Sequence, residues 1–258
     1  MLEHLEPWPR DPKRAVIIGS RGVLGRSVTD LLGREGVDVL PLTSAELDLL
    51  APDASARLAD LLRPDDAVVM FSGLRPHMGR DMATTMRNLR MGEAVCSVVA
   101  EKPPRHVVYM SSDAVYSLVE GMISEETPAA PTCLYGIMHR TREIMFEKMA
   151  TKTPLAILRC TMVIADTDIH GAANRFRHQA SKQGTIELAG NGEERRDIVL
   201  IDDVARIVRL VLAHRSVGIL NLATGRSRSL HDVAAAVAGH FDPTADIVCT
   251  ERSAPVTH

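Results

Sequence analysis

The sequence predicts an α/β chain built on a doubly wound parallel sheet, and three observations carry that reading. Strand-like apolar runs recur at Ala15–Ile18, Val37–Leu42, Ala67–Phe71, His106–Met110, Leu155–Arg159 and Gly218–Leu222. Helical or loop stretches follow all but the last, and such alternation builds parallel sheets covered on both faces. The first run ends in Gly19-x-x-Gly22-x-x-Gly25 and opens directly into a helical pattern.

Taken in order, the N-terminal MLEHLEPWPRDPKR reads as an arm before the first strand, since it carries acids and prolines rather than a basic-then-apolar leader. Helices are expected near 23–34, 53–63, 79–101, 134–150, 202–214 and 229–239. Asp65–Asp66, Pro103–Pro104 and Thr153–Pro154 interrupt the helical patterns just before strands. Residues 161–198 break the rhythm, being rich in Gly, Asn and Arg, and an irregular insertion beyond a strand's carboxyl end is where such sheets carry substrate loops. The expected organisation is therefore a dinucleotide-binding core over 1–160 and a small C-terminal substrate-binding portion over 161–258, partly interleaved with the core. ADIVCT, near the end, is strand-like.

The glycine turn carries the first chemistry. Gly19 permits a tight turn, Gly22 lets backbone amides approach a pyrophosphate, and Gly25 removes the side chain where helix meets strand. The helix N-terminus then faces phosphate charge, which makes Gly19, Ser20, Arg21, Gly22, Val23, Leu24 and Gly25 a cofactor loop of the Rossmann kind. Where an NAD-binding chain places an acid at the end of its second strand, this one has Thr43–Ser44; Asp38 lies too early. Arg21 offers a guanidinium to a 2′-phosphate, so NADP(H) is favoured over NAD(H). Ser72 and Gly73, past the strand at Ala67–Phe71, belong to the same cofactor side.

HVVYMSSDAVYS places Ser111 and Ser112 beyond a buried strand, and LYGIMHRTREIMFEKM starts a helix on which Tyr135, His139 and Glu143 share a face. A serine hydroxyl and a phenol beside a nicotinamide ring suit hydride chemistry at a carbonyl: serine polarises the oxygen and tyrosine moves the proton. Histidines show no metal-ligand spacing with Cys or acidic residues.

Composition excludes other classes. The chain has 258 residues, 45% hydrophobic, enough for a core without metal or disulfide support. Net charge is −3 and no basic run is interleaved with aromatics, which disfavours nucleic acid. The four cysteines are widely spaced, and no apolar run reaches membrane-spanning length, which points to a reduced, cytoplasmic protein with no membrane partner.

The chain resembles the extended short-chain dehydrogenases/reductases, the NAD-dependent epimerase/dehydratase family, over nearly its whole length. The resemblance rests on the three glycines, Asp48–Leu49, Asn88, SSDAVY at 111–116, Tyr135–Gly136 with Glu143, RRDIVLIDDVA at 195–205 and GILNLATG at 218–225. VLPLTSAELDLL most resembles sugar-nucleotide reductases such as GDP-fucose synthase and dTDP-4-dehydrorhamnose reductase. The resemblance implies Asp48 and Leu49 beside adenine, and Ser112, Tyr135 and the residue at 139 as the catalytic set. It also implies a nucleotide-sugar substrate, with Arg196 and Asn174 on its diphosphate, the alternative for Arg196 being an ion pair with Asp197, Asp202 or Asp203; Arg75, past the strand at Ala67–Phe71, either lines the pocket or lies in a solvated loop, and Asp113 is placed on the substrate side. It further implies a homodimer formed through the helices near 79–101 and 134–150. The family's Tyr-x-x-x-Lys is here Tyr135-x-x-x-His139, and histidine supplies a cation only when protonated. Ala114 stands where the dehydratase branch carries an acid, which favours reduction or epimerisation of a keto-sugar nucleotide or smaller carbonyl compound over dehydration. The other reading is a dinucleotide-binding protein without turnover, acting as cofactor sensor or scaffold. The methionines at 78, 82 and 86 and the aliphatic residues of the Tyr135 helix read as core packing.

Overall fold

Each of the six apolar runs becomes a strand of one sheet, its ends set by the polar and glycine-rich residues beside it. The computed structural model describes residues 1–117, 121–168 and 170–251. The elements, in chain order, are β1 (Leu2–Glu3), β2 (Arg14–Ile18), α1 (Val23–Arg34), β3 (Asp38–Leu42), α2 (Ala54–Leu61), β4 (Asp66–Met70), α3 (Met82–Glu101), β5 (His106–Ser112), α4 (Leu134–Met149), β6 (Leu155–Cys160), β7 (Met162–Ile164), α5 (Ala172–Gln183), β8 (Thr185–Ala189), β9 (Arg195–Arg196), β10 (Ile198–Leu200), α6 (Ile201–Ala213), β11 (Val217–Leu222), β12 (Arg228–Ser229), α7 (Leu230–Phe241) and β13 (Asp246–Thr250). Short 3₁₀ turns at Pro76–Met78 and Asp113–Val115 follow β4 and β5.

The main sheet has the order β1-β11-β6-β5-β4-β2-β3, parallel throughout except for β1, which pairs antiparallel with β11. The chain leaves β2 for β3 on one side and then crosses to β4 on the other. The carboxyl ends of β2 and β4 therefore flank a topological switch point, where such sheets bind ligands. Val16, Ile18, Val68, Met70, Val107, Tyr109 and Ile157 pack beneath α2, α3 and α4 as one buried core. No helix among the described residues is long and apolar enough to cross a membrane.

Two compact units divide the described residues: 1–160 with Asp202–Leu222, and Thr161–Ile201 with 223–251. In the second unit α5 and α7 pack over the β13–β8 pair, burying Phe176, Ala180, Ile186, Leu188 and Ala234.

Three sequence expectations change. The N-terminal arm is tied down by β1 and by Glu6 N–H donating to the His214 carbonyl at 3.0 Å. The stretch 161–198 is not irregular, since it contains α5 and β7 to β10. Ala172, Phe176 and Ala180 at helical spacing, ended by the left-handed Gly184 (φ +64°), mark that helix. The methionine stripe is not core: Met78, Met82 and Met86 are 56%, 59% and 44% exposed, and Ile137 and Ile144 are exposed as well. The buried face of α3 is instead Thr84, Asn88, Gly92, Val95 and Val99, the row that meets the sheet and α4.

A buried polar row fixes the carboxyl ends of β5, β6 and β11. Ser111, Arg159 and Asn221 lie side by side in register. Arg159 donates to both Glu143 carboxylate oxygens at 2.9 and 2.8 Å and to the Tyr116 hydroxyl at 2.8 Å; Ser111 donates to Glu143 at 2.6 Å, and Tyr116 to Asn221 at 2.8 Å. Glu143 thereby seats α4 on the strand ends. Removing one partner of a buried pair strands the other charge, so Glu143→Ala is expected to lower unfolding free energy by about 3–5 kcal/mol in urea titrations. A midpoint equal to that of the native chain would contradict this assignment.

Candidate functional site

The turn between β2 and α1 forms the first wall. Gly19 has φ +90°, and a Cβ there would lie 2.8 Å from the Ser72 amide nitrogen and hydroxyl. A Cβ on Gly25 would lie 2.3 Å from the Gly19 carbonyl oxygen, so α1 seats on the strand end only if position 25 carries no side chain. Gly22 is the N-cap of α1 and has no side chain to cap its first amides, which leaves them to a ligand. Beside them the Ser20 hydroxyl is buried without a hydrogen-bond partner among the described residues. Uncapped amides, an unpaired buried hydroxyl and a side-chain-free cradle together suit a diphosphate, whose oxygens accept from both donor types.

Around this turn, Arg21 is exposed, and Val23 and Leu24 are half-buried on the first turn of α1. Past β3, the Thr43 amide donates to the Glu46 carboxylate at 2.9 Å and the Thr43 hydroxyl bonds the same oxygen, holding Glu46 below the ordinary carboxylate range. Ser44 is exposed, Asp48 accepts from the Leu50 amide at 3.0 Å, and Leu49 is buried in the core. The loop at Ser72–Gly73–Leu74 is held from beneath. Asn88 pairs with both the amide and the carbonyl of Leu74, and Arg142 donates to the Ser72 carbonyl at 2.8 Å.

The second wall is the junction of β5 with α4. Ser112 accepts from the Ala114 amide at 3.2 Å and donates to Asp113 at 3.1 Å. Cys133 caps α4 by accepting from the Gly136 amide at 3.4 Å. A Cβ on Gly136 would sit 1.9 Å from the Ala114 carbonyl oxygen, so only glycine after Tyr135 lets this helix start against the turn that carries Ser112 and Asp113. Tyr135 is half-buried. Burial and the Asp113 charge push its phenol up to about 12 against the pull of Arg142 and Arg75, so it stays protonated.

His139 lies in T-shaped contact with Tyr135, ring centroids 4.6 Å apart, and its Nδ1 is 2.8 Å from the Tyr109 hydroxyl. Burial and the Arg142 charge push its pKa down to about 3, so the imidazole is neutral at working pH. The position offered by the sequence for a cation thus carries an uncharged ring.

Of the residues assigned to the substrate side, Arg75 and Asp113 lie near enough to Tyr135 to shift its pKa in opposite directions. Asn174 and Arg196 belong to the second unit. The Asn174 amide donates to the carbonyls of Ala165, Asp166 and Asp168 at 2.8, 3.2 and 3.0 Å, closing its own loop. Arg196 pairs with Glu194 rather than with a following aspartate, because Asp197 is taken by the amides of Thr224 and Arg226 at 2.8 and 2.9 Å. Sequence reasoning missed Tyr109 and Arg142. Their signal was a phenol inside an apolar strand and adjacent opposite charges, Arg142–Glu143, on the inward side of a helix.

Comparison with known proteins agrees with this geometry. The model of the NAD dependent epimerase/dehydratase family matches residues 15–223. The chain is 30% identical over 127 residues, 46% of its length, to dTDP-L-rhamnose 4-epimerase of Burkholderia thailandensis, and the match spans 35% of that enzyme's own length. It is 26% identical over 259 residues to ADP-L-glycero-D-manno-heptose-6-epimerase of Alkalilimnicola ehrlichii, covering 88% of this chain and 80% of that one. The structure of UDP-glucose 4-epimerase from Thermotoga maritima superposes with a TM-score of 0.81 at 19% identity, covering 93% of this chain and 86% of that one, a likeness of fold. With its glycine turn at a topological switch point and a family model matching residues 15–223, the chain belongs to the NAD dependent epimerase/dehydratase family.

Proposed function

We propose that the protein reduces a carbonyl compound with a nicotinamide cofactor, a keto-sugar nucleotide being the favoured substrate class. The observation that carries this reading is that α4 starts, with Tyr135 in its first turn, against the turn that carries Ser112 and Asp113. The reduced cofactor supplies a hydride when bound. Ser112 turns its hydroxyl proton from Asp113 to the substrate oxygen, and Tyr135 gives its phenolic proton to the alkoxide that develops there. Epimerisation that begins by oxidising an alcohol asks Tyr135 to start as a base, and its environment opposes that. Ala114 supplies no acid for dehydration.

Arg21 on the glycine turn and Thr43–Ser44 at the end of β3 support NADP(H) over NAD(H), since neither Thr43 nor Ser44 repels a 2′-phosphate and a guanidinium can pair with it. The exposed Met78, Met82 and Met86 beside α4's Ile137 and Ile144 support a homodimer through α3 and α4. Four free cysteines are consistent with a reducing, cytoplasmic compartment.

Three outcomes follow from these assignments. Tyr135→Phe is expected to cut turnover on a keto-sugar nucleotide by about 10²–10⁴ while calorimetry shows cofactor affinity unchanged; an undiminished rate would end the proposal. Arg21→Ala should weaken NADPH binding by roughly tenfold and leave NADH binding alone, as loss of one charge-assisted contact requires, whereas equal losses would remove the case for NADP(H). Sedimentation at micromolar concentration should give a dimer that Met86→Glu with Ile137→Glu dissociates, and a monomeric native chain would refute the interface.

A further inference from the structure

Four aromatic and cationic side chains meet behind the reacting end of α4. Tyr109 on β5 is 1% exposed; its ring stacks on Phe146, centroids 4.9 Å apart, and its hydroxyl lies 2.8 Å from His139 Nδ1. Arg142 lies close enough to Tyr109 for its charge to act on the phenol, but its own nitrogens bond elsewhere. The Arg142 guanidinium is locked: its Nε donates to the Asn88 carbonyl at 2.8 Å, a second nitrogen bonds that carbonyl as well, and the third reaches the Ser72 carbonyl. Its stem has room only because α3 carries Gly92, where a Cβ would lie 3.0 Å from Arg142 Cγ.

The proton bookkeeping of this chain of contacts has one solution. The Tyr109 hydroxyl is buried, so its proton needs an acceptor, and among the described residues its hydrogen-bond partner is His139 Nδ1. The Tyr109 proton is then left to point at His139 Nδ1, which must accept it, and a neutral imidazole with an accepting Nδ1 carries its own proton on Nε2. We infer that Tyr109, stacked on Phe146, is a positioning residue that fixes His139 as the uncharged Nε2–H tautomer, presenting the site with a hydrogen-bond donor in place of a cation.

This rests on the reductase reading only for what the donor meets, which is the cofactor ribose or the substrate. Tyr109 faces His139 from β5 and Tyr135 faces it from α4; Arg142, also on α4, is the charged group that acts on it. Burial and then the Arg142 charge oppose protonation of the ring, and Tyr109 occupies Nδ1 in the neutral form. These effects keep His139 neutral as pH falls, since its folded-state pKa lies below the ordinary histidine value. A site built this way holds its ligand with the same hydrogen bond across the neutral and mildly acidic range, and no histidine titration shows in the rate.

The test is nitrogen-15 NMR on histidine-labelled protein without cofactor, with the His139 signals assigned by their loss in His139→Gln. The expected spectrum shows His139 neutral from about pH 8 down to about pH 5 with Nε2 protonated and Nδ1 bare, over a range in which an ordinary histidine titrates. A protonated Nδ1, or titration near the ordinary value, overturns the inference. In Tyr109→Phe the tautomers should mix and the His139 pKa rise by about one pH unit. The variant's pH profile for turnover should gain an acidic limb absent from the native enzyme. Should Tyr109→Phe fail to fold, the native spectrum still decides. Because the tautomer is read in the free protein, absence of turnover would refute the reductase reading and leave this assignment standing.

Discussion

Two adjacent buried charges on α4, Arg142 and Glu143, set the geometry on which the site depends. Each ion taken out of water costs several kcal/mol unless its hydrogen-bonding groups are satisfied, so neither persists in a loosely seated helix. Glu143 is matched by Ser111 and by both arms of Arg159, with Arg140 at 3.0 Å on its outer oxygen. Arg142 is matched by carbonyls of α3 and of the loop after β4. One residue thus ties the helix to the ends of β5 and β6, and its neighbour ties it to the cofactor-side loop. Tyr135 and His139, earlier on the same rigid helix, inherit that placement.

The cofactor wall is built by the opposite means. At the β2–α1 turn, packing is achieved by removing side chains, since Gly19 and Gly25 meet backbone at distances that no Cβ tolerates. What remains is a backbone surface with helix amides that no side chain caps and a serine hydroxyl without a partner among the described residues. Asn88 and Arg142 connect the two walls, because the Ser72–Leu74 loop they hold packs against Gly19. A disturbance of Arg142 therefore reaches both the cofactor cradle and the His139 ring.

Much of this was legible in the sequence because it is local. Apolar runs bounded by glycine, proline and aspartate gave all six parallel strands, and the glycine spacing marked the switch point before any pairing was known. Tyr135 and Ser112 could be named because a strand end and a helix start carry them. What escaped depends on contacts between distant segments. The sparse apolar positions of α5, Phe176 and Ala180, look like loop until β8 and α7 cover them. The methionine stripe has the period of a core face, and only the placement of Asn88 and Gly92 against α4 shows that it points outward. Nothing local to Tyr116 shows that Arg159 donates to its hydroxyl and Asn221 accepts from it. The lowered pKa of His139 follows from its burial and from Arg142, a residue without a motif of its own.

The central claim is that this environment keeps Tyr135 as a proton donor for carbonyl reduction. Its most direct test is deuterium transfer: reduced nicotinamide cofactor labelled at the transferring carbon is incubated with keto-sugar nucleotides, and the products are read by mass spectrometry. The account predicts alcohol products carrying one deuterium at the former carbonyl carbon. Saturating cofactor binding with unlabelled, unreduced substrates recovered throughout would contradict it.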